Sequence, residues 1–205
     1  MALDTELDLT DPIAAATAAE RERLADLLDE LTPDEWGADS LCAGWRVREV
    51  VAHMTMPYRH SGPSVLAGIA AHGGDFNRFA DELARRDTAE CSDAELLADL
   101  RDNVRHPWQP PAGGQTGALS HDVIHGQDLT EPLGRPRPPA DRVRLVLAGA
   151  GPIQLAFFGV DLTGRRLVAT DTDLVLGDGD VVTARPAAEL LLAVAGRRDL
   201  DPPIR

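Results

Sequence analysis

A chain of 205 residues can bury one sizeable core, or a larger domain with a small appendix. Its formal net charge of -14, from 34 acidic and 20 basic residues, repels nucleic-acid backbones and anionic membrane surfaces, so a small ligand or a protein partner is favoured. No apolar run reaches the ~18 residues of a membrane span, and the N-terminal MALDTELDLTD is acidic where an export signal would be basic and then apolar. Two cysteines, Cys42 and Cys91, make a disulfide framework improbable, and the expected compartment is the reducing cytoplasm.

In chain order, residues 11–31 open with Asp11 at an N-cap and Pro12 at the first helical position, with Ile13, Ala16, Leu24, Leu27, Leu28 and Leu31 recurring at helical spacing. A Gly-, Asp- and Pro-rich loop, TPDEWGADSLCAGW, holds two of the three tryptophans. A second helix is expected from near Trp45, carrying Val47, Val50, Val51 and Met54 on one side, until Pro57 kinks or ends it. Residues 64–83 read as helix broken at His72-Gly73-Gly74. Residues 92–105 carry a capping box, Ser92 with Glu95 three on, ahead of Leu96, Leu97, Leu100 and Val104. After the breaker WQPPAGGQ, a helix is expected over 116–129. PLGRPRPP is the linker candidate. Beyond it, ADRVRLVLAGAGPIQLAFFG reads as an apolar helix, RRLVATD, DLVLG and DVVTA as short strands, and AAELLLAVAG as a closing helix. The expected architecture is mainly α, a helical bundle over 1–135 followed by a small α/β domain over 140–205.

Chemistry concentrates in the six histidines. In LSHDVIHGQD, His121 and His125 stand four apart, so on a helix they share a face about 5–6 Å apart. His53 follows an apolar stripe on another helix, and a bundle that joins those faces offers three imidazoles to a metal, with a fourth position left for water or substrate. The competing reading is a chance HxxxH on a solvent-facing helix. Asp128, three residues after His125, could accept a hydrogen bond from that ring's other nitrogen; Asp122 reads as ordinary surface charge. His60 is a second-choice ligand because Pro57 disturbs its register with His53, and His72 and His106 read as loop residues. Cys42, in principle a nucleophile or ligand, and Cys91 read as packing. No GxSxG, Walker A, GxGxxG or CxxC pattern occurs.

The run DEWGADSLCAGWRVREVVAHM, the later HGQDL and the tail LVATDTDLVLGDGDVVTARPAAELLLAVAGRRD together resemble the mycothiol-dependent maleylpyruvate isomerase family, within the DinB-like superfamily. The resemblance implies a DinB-like four-helix bundle holding a divalent metal, typically zinc, plus a small C-terminal α/β domain. It places metal ligands at His53 and His125, with His121 where the isomerase has Glu. An all-imidazole site carries one more positive charge than a His/Glu/His site, so its metal is a stronger Lewis acid. Arg197 in the final GRR resembles an arginine that the family's C-terminal domain brings near the active site, where a guanidinium fork could hold a substrate carboxylate.

The implied activity is a zinc- and mycothiol-dependent isomerase or thiol S-transferase, in which an activated low-molecular-weight thiol attacks an electrophilic, unsaturated small substrate. No internal nucleophile is needed when the thiol arrives as cosubstrate. Two alternatives stay open: a hydrolase using metal-bound water with Asp128 or Asp122 as base, and a non-catalytic metal-binding regulatory module. A monomer and a homodimer are equally compatible with the sequence.

Overall fold

A computed structural model describes residues 6–200 except 112, and leaves the side chains of residues 153 and 154 undescribed. Asp11 caps α1 (Pro12–Asp29) by accepting the Ile13 and Ala14 amides. In the tryptophan loop, Thr32 and Glu35 form a capping box that starts α2 (Pro33–Trp36), a one-turn helix the sequence reading passes over although T-x-x-E and an N1 proline announce it. α3 (Val47–Arg59) keeps Pro57 inside its last turn and ends two residues later. The break in the next segment falls as expected, but the segment is longer at both ends: α4 (Gly62–Ala71) and α5 (Phe76–Glu90) flank Gly73 and Gly74, which adopt φ of 69° and 88°. α6 (Asp93–Asp102) starts at the Ser92–Glu95 capping box, and α7 (Gly114–Thr130) carries LSHDVIHGQD.

The apolar run 140–159 is two helices, not one. α8 (Ala140–Ala148) stops at Gly149, and Pro152 restarts the chain as α9 (Pro152–Phe157), because Gly149, Gly151 and Pro152 together cannot continue a helix. A three-stranded sheet follows: β1 (Arg165–Ala169) lies between β2 (Val175–Leu176), antiparallel to it, and β3 (Val181–Arg185), parallel to it. The GDG turn lets these backbones touch, since a Cβ at Gly179 would fall 1.9 Å from the carbonyl carbon of Gly164. α10 (Ala187–Val194) closes the fold.

α1, α6, α3 and α7 pack in a ring, each against the next, and form the bundle; α5 flanks α3, and α4 rests on α5. Leu24, Leu28, Trp36, Val47, Val50, Val51, Met54, Leu96, Leu100 and Leu129 fill the bundle's core. A second core joins Leu119, Val123 and Ile124 of α7 to Val143 and Leu147 of α8, Leu167 of β1 and Leu190 and Leu191 of α10. α7 therefore belongs to both. Gly126 permits its close approach to α1, because a Cβ there would meet both Leu24 methyl groups at 3.0 Å. No helix among the described residues is long and apolar enough to cross a membrane.

Candidate metal centre

The apolar periodicity that buries Val50, Val51 and Met54 on α3 also carries His53 inward, to 7% exposure. On α7, Leu119 and Val123 turn one face into the second core, which leaves His121 and His125 on the face toward α3. The three rings converge. Their centroids are 5.3 Å (His53–His121), 4.9 Å (His53–His125) and 4.8 Å (His121–His125) apart, and one nitrogen from each lies within 4.8 Å of the others.

Two of the rings are oriented by carboxylates. His121 Nδ1 is 2.9 Å from Asp122 Oδ1, and His125 Nδ1 is 3.0 Å from Asp128 Oδ2. An aspartate held ionised accepts only, so each Nδ1 carries the hydrogen, and in the neutral ring the lone pair is then on Nε2. Both aspartates are held ionised: burial pushes Asp128 up, but Arg197 and His125 outweigh it and bring the carboxyl to about 2, and Arg21 likewise holds buried Asp122 low. Burial, together with the neighbouring imidazoles, drives His53 well below its ordinary value, and burial also lowers His121 against the pull of Asp122. Neutral rings are what a cation requires. His53 Nδ1 is buried and has no hydrogen-bond partner, an orphaned polar atom beside two oriented imidazoles. These donors fit a divalent cation of borderline softness.

Two sequence expectations change. Asp122 is no surface charge: it is 2% exposed and paired with Arg21, whose Nε lies 2.6 Å from Oδ2. Arg197 meets an internal carboxylate, with Nε 2.8 Å from Asp128 Oδ1 and Nη2 2.9 Å from Oδ2, so its fork is already taken. The Cys42 thiol, 3.1 Å from Asp128 Oδ2 and 3.9 Å from His125 Nδ1, joins the same cluster. Burial and the Asp128 charge push that thiol up to about 12, so it is a protonated donor and not a nucleophile. His60 stands apart from the three rings, 2.9 Å from Asp87; His72 caps α4 and meets Glu82; His106 receives the Trp108 amide.

The sequence reading missed the wall of this site. Trp45, Phe76 and Trp108 place their rings 5.3 and 6.3 Å from His53 and 5.1 Å from His121. Three of the chain's eight aromatic residues thus border the triad. Arg21 was missed too, although a signal existed: it sits in register with Ala14, Thr17, Ala18, Leu24, Ala25 and Leu28, so a charge occupies the buried face of an amphipathic helix.

Comparison with known proteins follows the same lines. Residues 17–107 match the family profile described as the mycothiol maleylpyruvate isomerase N-terminal domain, a segment that includes His53 and ends before α7. A crystal structure of the mycothiol-dependent maleylpyruvate isomerase shares the fold at a TM-score of 0.56 and 15% identity, over 94% of this chain and 90% of that one. A crystal structure of a mutant of that isomerase aligns over the same shares at 16% identity and a TM-score of 0.49. No protein of curated function matches the chain in sequence.

Proposed function

We propose that this chain, whose residues 17–107 match the N-terminal domain of the mycothiol maleylpyruvate isomerase family, is a metal-dependent enzyme that uses mycothiol as cosubstrate to isomerise a small unsaturated electrophile, or to conjugate the thiol to it. The observation that carries this reading is the triad: three imidazoles on two helices, two with their tautomer fixed by a carboxylate, within 4.8 Å of one another.

His53, His121 and His125 would hold the cation, zinc by donor type. Bound there, it would supply Lewis acidity that favours the thiolate form of a thiol. The protein's own residues do the rest. Asp122 and Asp128 hold the hydrogen of each neutral ring at Nδ1 and so present Nε2 as the ligand atom. Trp45, Phe76 and Trp108 set aromatic rings beside His53 and His121 and give the site an apolar border. Arg197 and Cys42 fix Asp128 by donating to it, so Arg197 acts through His125 and not on a substrate carboxylate. The hydrolase alternative loses its base, because Asp122 and Asp128 are both committed to an arginine and an imidazole.

The test is direct. Purified protein is expected to hold about one equivalent of divalent metal, and His121→Ala and His125→Ala should each lower its occupancy in plasma emission measurements. Mycothiol should raise the melting temperature of the loaded protein. Full occupancy in both variants would remove the triad, and a flat melting temperature across saturating mycothiol would remove the thiol.

A further inference from the structure

We infer that Arg21 and Asp122 are positioning residues that set the tautomer of His121 and the wall beside it; the inference rests on the reading of the triad as a metal site. A buried ion pair is weak evidence for stability, since a well-packed apolar pair of the same volume does as well or better. This pair, 0% and 2% exposed, therefore asks for another role.

Its geometry supplies one. Arg21 lies on α1 and meets the Asp122 oxygen that His121 does not. Its Nε donates to Asp122 Oδ2, and Asp122 Oδ1 faces His121 Nδ1 at 2.9 Å. A guanidinium cannot give up its proton at any working pH, so it keeps a carboxylate opposite it, and the carboxylate keeps the hydrogen on Nδ1. The second arm reaches the chain between α6 and α7: Nη1 donates to the carbonyl of His106 at 2.7 Å and, more weakly, to that of Val104. His106 Nδ1 in turn receives the Trp108 amide at 3.1 Å, and the Trp108 ring lies 5.1 Å from His121. One side chain thus fixes an imidazole through its carboxylate and an indole through its backbone. The guanidinium carbon also lies 5.7 Å from the centroid of the Tyr58 ring.

The arrangement occurs twice, from opposite ends of the chain. His125, Asp128 and Arg197 repeat the order imidazole, aspartate, arginine, with the arginine contributed just after α10 instead of by α1. A packing accident has no reason to pair each of two histidines, four residues apart, with an aspartate and each aspartate with an arginine.

The decisive measurement needs neither metal nor substrate. Long-range proton–nitrogen spectra of 15N-labelled, metal-free protein near neutral pH should show His121 protonated at Nδ1 and bare at Nε2. Asp122→Asn should shift that ring toward the other tautomer and lower Zn2+ affinity roughly 10–100-fold, with circular dichroism and cooperative melting retained. Arg21→Lys keeps a cation in the pocket but loses the fork, and should move both signals in the same direction by less; it also guards against an Arg21→Ala variant that fails to fold. A wild-type His121 protonated at Nε2, or an Asp122→Asn spectrum identical to wild type, overturns the role of Asp122. An Arg21→Lys variant unchanged in both readouts overturns that of Arg21. If the tautomer follows Asp122 while no metal binds at all, the positioning stands and the metal reading fails.

Discussion

His53 concentrates the tension between stability and function into one side chain. It is buried on an apolar helix face, it is held neutral, and its Nδ1 has no partner. An unsatisfied buried polar atom costs about 1–3 kcal/mol, a cost retained where a site needs the group. His53→Leu, of similar size, is therefore expected to leave the metal-free protein as stable as wild type or more stable by about 1 kcal/mol, in urea titrations of chelator-treated samples, while Zn2+ binding is lost. A large destabilisation, or retained binding, would refute this account. The same residues show what a sequence can display. That His121 and His125 share a face was legible because spacing on a helix fixes it, whereas His53 comes beside them only through the packing of α3 on α7. Spacing likewise made Asp128 legible as the partner of His125. Asp122 was not, because a residue next to His121 in sequence ordinarily points elsewhere on the helix, and its partner Arg21 lies 101 positions away on α1. The pairing of the Arg197 fork with Asp128 is not legible, because the two lie 69 positions apart in sequence.

Among the elements, α3 matters most because it delivers His53, and its start is unusual. Arg46 stands at the N-cap, where Ser, Thr, Asp or Asn is the rule. Glu49 compensates: its carboxylate accepts the Arg46 amide at 2.9 Å, the Arg46 Nε at 3.0 Å and the Thr88 hydroxyl at 3.1 Å. Burial pushes Glu49 up from its ordinary 4.5, but those donors outweigh it and the pKa is lowered. For a carboxylate lowered on folding, the stabilisation is full above the unfolded value and is lost as pH falls through the folded one. Glu49→Gln should thus cost about 1 kcal/mol at pH 7, and the gap to wild type should close as pH drops below about 4. Melting both proteins across that range checks it; a gap independent of pH would mean that shape and not charge matters here. Element existence was well signalled by caps and periodicity, as at Asp11, Ser92 and Glu95. What was not legible was continuity: 140–159 looks like one apolar helix until Gly149, Gly151 and Pro152 are weighed together, and α4, apolar in sequence, has no fully buried residue and packs Val65 and Ile69 against Met56, Phe79 and Leu83.

At the scale of the whole molecule, α7 is the member that cannot be assigned to one half. Leu129 lies in the bundle core, while Leu119, Val123 and Ile124 lie in the core with β1 and α10. Gln127 Nε2 donates to the Ala188 carbonyl at 2.7 Å, and Arg197 reaches back to Asp128, so buried polar contacts cross with the apolar ones. Every one of the chain's 20 basic residues is arginine, the side chain whose fork suits such buried, two-point pairing. The Pro/Gly cluster PLGRPRPP marks a change of character along the sequence, yet the packing runs past it, since α8 begins at once and lies on α7. Melting the C-terminal part alone would strip three large side chains of α7 of their neighbours and release the partner of Asp128. Leu167, fully buried on β1 and remote in sequence from the triad, tests this coupling. Leu167→Ala should cost about 3 kcal/mol by loss of transfer energy and creation of a cavity, which for a chain of this size is a fall of roughly 6–12 °C in melting temperature. The coupling requires that calorimetry show one transition moving as a whole, with metal release following it. Two transitions, of which only one moves while the metal stays bound through it, would mean that α7 is held by the bundle alone.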